Sequence, residues 1–265
     1  MNNVEKVSVL ELPHPGGYVA NPVLTKGEGK PLVFLHGLFG QEWGGFLDNI
    51  AITRKVYAPA HAGSVDLADL ETLDGLWDLL IYYDDLFASL RLDRFDLVGH
   101  SFGGMVAAEF AAMYPERIGK LVLIDALGLW NDNYPVADHL LSTPAVQTAM
   151  RFHNLENAAV AQEISAPTEP DKVHAALVKR FLALSSTSQF IHPIPDRGLR
   201  KRLRRIKAET LIIWGAEDSL TPRAYADDFA AGIKGARKEI IANAGHTPQL
   251  EQKDLVSERV RDFLG

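Results

Sequence analysis

Six short apolar runs recur along the chain, each rich in Val, Ile and Leu and each closed by Gly, Pro or Asp. Runs of this length and composition are typical of strands that are buried on both faces of a parallel sheet. The pattern therefore predicts six core strands, at residues 31–35, 54–58, 95–99, 120–126, 209–214 and 237–241.

Helical periodicity fills most of the intervals between these runs. Residues 71–91 repeat apolar positions at helical spacing, and residues 102–114 are small and apolar enough to form a buried helix. Pro222 and Pro248 stand where further helices would begin, a position that proline tolerates because its missing N–H is not needed there. Strands that alternate with helices in this way predict an α/β fold with a doubly wound, mostly parallel sheet.

Two segments depart from this alternation. Residues 6–12 and 18–24 alternate apolar and polar positions, which predicts an antiparallel pair leading into the sheet. From about residue 127 to residue 207 no convincing strand is present, and prolines punctuate several helix-like pieces. We therefore predict a core formed by residues 1–126 and 208–265, interrupted by a helical insertion at 127–207.

The composition is that of an ordinary folded protein, with 47% hydrophobic and 23% charged residues. The 27 basic and 34 acidic residues give a net charge of −7, so the chain offers no global basic surface for phosphates and we expect no nucleic-acid partner. The sequence has no cysteine, which excludes disulfides, thiolate nucleophiles and cysteine-ligated metals.

Targeting signals are not evident in the sequence. The N-terminus lacks a basic segment followed by a long apolar one, and no run approaches the roughly 18 apolar residues of a membrane span. We therefore expect a cytoplasmic protein without a membrane span.

One local stretch, residues 197–207, is strongly basic. Its apolar positions Leu199, Leu203 and Ile206 recur at spacings of four and three, which predicts an amphipathic helix with a solvated basic face. A surface for an anionic substrate or an acidic partner is the alternative interpretation.

Residues 97–104, LVGHSFGG, place Ser101 among glycines directly after an apolar run. The Gly-X-Ser-X-Gly pattern at 99–103 is typical of the nucleophile elbow, a sharp turn between a strand and a helix. The serine at its apex is strained, and its neighbours two residues away must be nearly free of side chains for the turn to close. The hydroxyl then projects beyond the sheet, facing the N–H groups of the next helix. The pattern thus predicts a nucleophile, with a glycine-rich packing turn as the alternative.

A serine nucleophile requires a base within hydrogen-bond reach and an acid that orients the base. Asp218 follows the run at 209–214, and His246 follows the run at 237–241. Ser, then Asp, then His is also the chain order that accompanies this kind of elbow. We therefore predict that Ser101, Asp218 and His246 form a catalytic triad.

These three residues and their surroundings resemble the α/β-hydrolase superfamily, from about residue 30 to the end of the chain and most weakly in the insertion. The resemblance implies the α/β-hydrolase fold, with residues 127–207 as a helical cap. It also implies an oxyanion hole formed by the backbone N–H groups of Leu38 and Phe102. The matching segments are FLHGLFG at 34–40, GHSFGG at 99–104, GAEDSLTP at 215–222 and AGHTPQLEQ at 244–252.

Three side chains near these motifs leave alternatives open. Asp125 ends an apolar run, and some members of the superfamily place the triad acid there, although Asp218 lies in the better-matching segment. In this superfamily a histidine at the position of His36 usually braces its loop, and His100 is interpreted as a packing residue. The remaining histidines show no metal-ligand spacing, so we predict neither a metal nor a cofactor.

The reaction is narrowed by the nucleophile and by one neighbour of the base. Ser101 disfavours the haloalkane dehalogenases and epoxide hydrolases, relatives that use an aspartate nucleophile. Carbon–carbon bond hydrolases of ring-cleavage products share the triad, but they usually carry an aromatic residue where this chain has Thr247.

We therefore predict a serine hydrolase that cleaves a small or medium apolar carboxylic ester through an acyl-enzyme. A carbon–carbon bond hydrolase and a cofactor-free perhydrolase are the alternatives, and a non-catalytic hydrolase-like receptor is a further one. The sequence predicts neither the substrate nor the oligomeric state.

Overall fold

A computed structural model describes residues 6–265, which contain an eight-stranded sheet in the order β1-β2-β4-β3-β5-β6-β7-β8. β1 and β2 pair antiparallel, β2 pairs antiparallel with β4, and the remaining neighbours are parallel. The predicted mostly parallel, doubly wound sheet is confirmed. The strands are β1 (Ser8–Leu12), β2 (Asn21–Lys26), β3 (Lys30–Leu35), β4 (Arg54–Ala58), β5 (Phe95–His100), β6 (Ile118–Ile124), β7 (Glu209–Gly215) and β8 (Arg237–Ile241).

Several strand boundaries differ from the predicted ones, and a side-chain contact and a backbone conformation explain two of the differences. β2 begins at Asn21 instead of residue 18, because the N–H of Val19 donates to a carboxylate oxygen of Asp69 (2.9 Å) and not to a neighbouring strand. β6 ends at Ile124, because Asp125 adopts a φ of 44°, which an extended strand cannot include.

Helices cover both faces of the sheet. In β3, Leu32 and Phe34 belong to the hydrophobic cluster on one face of the sheet, whereas Val33 and Leu35 belong to the cluster on the other face. Burial on both faces explains why the strand sequences are continuously apolar. The helices are α1 (Gly45–Ile50), α2 (Leu76–Ser89), α3 (Phe102–Met113), α4 (Pro144–Arg151), α5 (Ala158–Glu163), α6 (Pro170–Ile191), α7 (Leu199–Arg202), α8 (Ala224–Gly232), α9 (Pro248–Glu251) and α10 (Lys253–Leu264).

The segment between β6 and β7 contains α4 to α7 and no strand, in a part of the chain that the structure describes in full. The assignment of residues 127–207 to a separate cap stays a prediction. None of the helices in residues 6–265 combines the length and the hydrophobicity needed to cross a membrane.

The basic stretch at 197–207 differs from the predicted amphipathic helix. It forms one α-helical turn, α7, followed by a short 3₁₀ turn at Leu203–Arg205. Its basic face is not wholly solvated, because the Arg202 guanidinium makes two hydrogen bonds of 2.6 Å to the buried carboxylate of Glu109 in α3. This bidentate pair connects α7, near the end of the segment between β6 and β7, to α3.

Candidate active site

Ser101 lies between the end of β5 and the start of α3, and its backbone is in the left-handed region with φ 55° and ψ −117°. A Cβ atom on Gly99 would lie 2.3 Å from the carbonyl oxygen of Gly103, and one on Gly103 would lie 2.1 Å from that of Leu35. No side chain fits at such distances, so the two glycines are required for the turn to close. The strained serine is thereby held at the carboxyl edge of the sheet.

The structure brings the three predicted triad side chains into one hydrogen-bonded chain. His246 Nε2 lies 2.8 Å from Ser101 Oγ, and His246 Nδ1 lies 2.8 Å from Asp218 Oδ2. All three residues are buried, with Ser101 fully inaccessible. The residues are 145 and 28 positions apart in sequence, so the parallel strand ends β5, β7 and β8 are what place them together.

The Asp218 carboxylate is held by hydrogen bonds that favour its ionised form. Oδ1 accepts the backbone N–H groups of Leu220 (2.8 Å) and Thr221 (2.9 Å), and Oδ2 accepts the Thr221 hydroxyl (2.6 Å) in addition to His246. Burial acts to raise the pKa of Asp218, but the charge of His246 and these hydrogen bonds outweigh it and lower the pKa. The role of Thr221 was missed in the sequence, although an aspartate whose side chain accepts the backbone N–H two residues on is a recognisable turn signal.

Asp125, the alternative acid, lies beside Asp218 but is not the carboxylate that contacts the His246 ring. Its Oδ1 accepts the N–H of Gly215 at 2.9 Å. Burial, followed by the charge of Asp218, raises the pKa of Asp125 well above its ordinary value. Asp125 is therefore expected to be a neutral carboxyl group next to an ionised one.

Asp125, Asp218 and His246 place one potential metal ligand each within 4.8 Å of one another. Two of these atoms, His246 Nδ1 and Asp218 Oδ2, already hydrogen-bond each other. The short distances within this cluster are thus explained by the hydrogen bond between the acid and the histidine of the predicted triad.

The loop that carries Leu38 is braced by two histidines. His36 Nδ1 lies 2.8 Å from the carbonyl oxygen of Gly37, and His36 Nε2 accepts the backbone N–H of His61 (3.2 Å). The ring therefore donates to Gly37, and burial lowers the pKa of His36 well below its ordinary value, which keeps it neutral. This bond fixes the peptide whose N–H belongs to Leu38.

The two predicted oxyanion donors are the N–H groups of Leu38 and Phe102, and Phe102 is the first residue of α3. In the hydrogen-bond network of residues 6–265, neither N–H has a protein acceptor. Both therefore have a free donor, as an oxyanion hole requires.

Two further residues hold the His246 loop. His100 Nε2 donates to the backbone carbonyl of His246 at 2.7 Å, and burial lowers the pKa of His100 to about 3, so the ring is neutral. Glu251 Oε2 accepts the N–H of Gly245 at 2.7 Å, and its Oε1 accepts the N–H of His153 at 2.9 Å. Glu251, missed in the sequence, thus links the base to the segment between β6 and β7.

The fold and these contacts define an α/β hydrolase with a serine on a nucleophile elbow. Residues 32–259 match the model of the Alpha/beta hydrolase family, and the chain belongs to that family.

Among curated relatives, the chain is 27% identical over 253 residues to the 2-hydroxy-6-oxo-2,4-heptadienoate hydrolase of Pseudomonas putida, with 90% of each chain covered. It is 28% identical over 191 residues to the 2-hydroxy-6-oxo-6-phenylhexa-2,4-dienoate hydrolase of Comamonas testosteroni. That alignment covers 68% of this chain and 65% of the relative, slightly less than two-thirds of the relative's length.

Solved structures share the fold at lower identity. A bacterial membrane phospholipase A superposes with a TM-score of 0.77 at 19% identity, over 98% of this chain and 86% of the other. The naproxen esterase of Bacillus subtilis superposes with a TM-score of 0.72 at 21% identity, over 98% and 92%.

Proposed function

We propose that this protein is a serine hydrolase that cleaves carboxylic esters with small or medium apolar groups through an acyl-enzyme on Ser101. The observation that carries the proposal is the pair of 2.8 Å contacts that connect Ser101 Oγ to His246 Nε2 and His246 Nδ1 to Asp218 Oδ2. Contacts of this length allow the proton transfer on which a serine nucleophile depends.

In the proposed mechanism His246 Nε2 takes the proton of Ser101 as Oγ attacks the ester carbonyl. The N–H groups of Leu38 and Phe102 stabilise the oxyanion of the tetrahedral intermediate. His246 then protonates the departing alcohol, and afterwards it activates the water that releases the acid. Asp218 remains ionised throughout and stabilises the imidazolium.

A cavity of about 180 Å³, which we call the cap cavity, supports an apolar substrate. Its lining includes Leu127, Val136, Leu140 and Ile191. The N–H of Leu127 donates to the backbone carbonyl of Ser101 at 3.0 Å, which connects one wall of the cavity to the elbow.

Carbon–carbon bond hydrolysis is the second candidate, because hydrolases of 2-hydroxy-6-oxo-2,4-heptadienoate and of 2-hydroxymuconate semialdehyde are among the curated relatives aligned over 90% of this chain. The name of the first of these relatives specifies a heptadienoate, which carries a carboxylate. No lysine or arginine is among the described residues that line the cap cavity, and Asp138 is. An uncharged ester is thus the better electrostatic match.

The two candidates are separated by parallel assays of p-nitrophenyl acetate, butyrate, hexanoate and octanoate and of 2-hydroxy-6-oxo-6-phenylhexa-2,4-dienoate. We expect ester turnover to dominate, and we expect Ser101→Ala to lower it by at least ~10³-fold because triad members act as a unit. Ser89→Ala, on an exposed position of α2, is the matched control. Near-normal ester cleavage by Ser101→Ala would refute the proposed nucleophile, and turnover of the dienoate alone would favour the second candidate.

A further inference from the structure

The cap cavity contains a histidine whose ring is only partly hydrogen-bonded. His139 is 6% exposed and lines the cavity, and its Nε2 has no hydrogen-bond partner within residues 6–265. A buried polar atom without a partner is costly, and most such atoms in folded proteins are paired. The unpaired nitrogen therefore points to a partner that enters the cavity.

The protonation state of His139 defines what that partner must be. Burial lowers the pKa of His139 to about 4, so the ring is neutral at neutral pH. The backbone of Ala137 interacts with the ring in the sense that favours a bound proton, as a carbonyl acceptor does, and we place the single proton of the neutral ring on Nδ1, away from the unpartnered Nε2. With the single proton on Nδ1, Nε2 presents a lone pair and accepts a hydrogen bond.

The position of His139 is fixed relative to the proposed triad. The N–H of Ala137 donates to the carbonyl of Leu220 at 2.9 Å, two residues after Asp218. The carbonyl of His139 accepts the side-chain amide of Gln147 in α4 at 2.6 Å. The loop is thus bound on one side to the β7 edge and on the other to the helical segment.

The other polar groups around His139 do not supply a partner for Nε2. Asp138 is exposed, and its Oδ1 accepts the N–H groups of Leu140 (3.0 Å) and Leu141 (3.1 Å). His192 lines the same cavity but is exposed, and His246 is engaged by Ser101 and Asp218. The rest of the lining is largely apolar.

We propose that the cap cavity is a substrate subsite for an apolar group that carries one hydroxyl or N–H donor, and that His139 Nε2 accepts the hydrogen bond from this donor. As a subsite, the inference rests on the proposed function, in which Ser101 acts on a substrate that occupies the cavity. A phenol or a short alcohol satisfies both the apolar walls and the single acceptor.

Phenol and toluene form a suitable probe pair, since they differ by a hydroxyl in place of a methyl group. Their dissociation constants are to be measured by calorimetry on the Ser101→Ala chain, so that the readout is binding and not turnover. His139→Asn retains an amide near the position of Nδ1 and removes the acceptor at Nε2. His139→Gln restores an acceptor near the position of Nε2 and is the matched control.

We expect His139→Asn to lower the preference for phenol over toluene about tenfold, the worth of one hydrogen bond to a buried acceptor. His139→Gln is expected to keep the preference within about threefold of the parent. In the parent itself, phenol should shift the Nε2 resonance in a long-range ¹H–¹⁵N spectrum, a readout that needs no change at position 139.

An equal preference in the parent and in His139→Asn would overturn the subsite, as would the absence of saturable phenol binding or of the Nε2 shift. Labelling of Ser101 by a fluorophosphonate is scored separately on the native chain. If Ser101 is not labelled but phenol is still preferred over toluene, the proposed nucleophile is contradicted and the proposed binding site is supported.

Discussion

Asp218 and Asp125 are the two candidates for the acid that orients His246. Replacing each of them with its isosteric amide tests which one has that role. In Asp218→Asn the His246 ring loses the carboxylate that accepts its Nδ1 proton at 2.8 Å, and the amide can present an N–H in its place. The unfavourable tautomer and the lost stabilisation of the imidazolium should lower kcat by about 10³–10⁴-fold, or roughly 4–5 kcal/mol of transition-state stabilisation.

Asp125→Asn should behave differently because the raised pKa of Asp125 favours its neutral form, which an amide resembles. The amide oxygen can still accept the N–H of Gly215, which lies 2.9 Å from Asp125 Oδ1. We expect kcat within about fivefold of the parent, since the substitution preserves this hydrogen bond and leaves the contact between Asp218 and His246 intact.

The pH dependence of stability tests the protonation of Asp125 independently of activity. The folded chain binds the Asp125 proton more tightly than the unfolded chain, whose pKa is near 3.8. The stability from this group is present below pH 3.8 and is lost as the pH rises toward the higher folded pKa. Asp125→Asn should lack that loss. The melting temperature of the variant minus that of the parent should therefore increase as the pH rises above 4.

The assay is the release of p-nitrophenol at saturating ester, with circular dichroism spectra and thermal unfolding of each variant as controls for folding. A loss in Asp125→Asn as large as that in Asp218→Asn, from a chain that folds normally, would refute the assignment of Asp218 as the acid. It would instead favour Asp125, the alternative that the sequence left open.

Three other substitutions probe the scaffold of the site. Gly103→Ala would place a Cβ atom 2.1 Å from the carbonyl oxygen of Leu35, so a loss of at least about 2 kcal/mol in the free energy of unfolding is expected in denaturant titrations. Arg202→Met would leave the buried Glu109 carboxylate unpaired. Because the Arg202 side chain is 20% exposed, water can partly replace it, and the expected cost is about 2–3 kcal/mol; an unchanged melting curve would contradict this. Glu251→Gln replaces one of two acceptor oxygens with an NH2 group that faces a backbone N–H, so kcat should fall by about tenfold and the melting temperature should fall as well. Equal kcat would show that the His246 loop is held by other contacts.

Much of the fold was predictable from the sequence because its strands are buried on both faces. Two strand segments, 54–58 and 237–241, coincide with β4 and β8. The start of β2 was misplaced because the side chain of Asp69, some fifty residues away, takes the N–H of Val19. A contact of that separation leaves no trace in local periodicity.

In the candidate site, too, residues in local sequence motifs were predictable, and residues that act through contacts distant in sequence were not. Ser101, Asp218 and His246 each stand in a motif whose local turn can be read, and the fold brings them together. His139 stands in an irregular loop without a motif, and its unpaired Nε2 is evident only when the cavity around it is known. Glu251 likewise acts on residues nearly a hundred positions away.

The central claim, a covalent intermediate on Ser101, is most directly tested by mass spectrometry of the native chain quenched with acid during turnover of p-nitrophenyl butyrate. The account predicts one butyryl group per chain, located by peptide mapping on Ser101. Steady ester turnover with no acylated Ser101, or with the butyryl group on another residue, would contradict it.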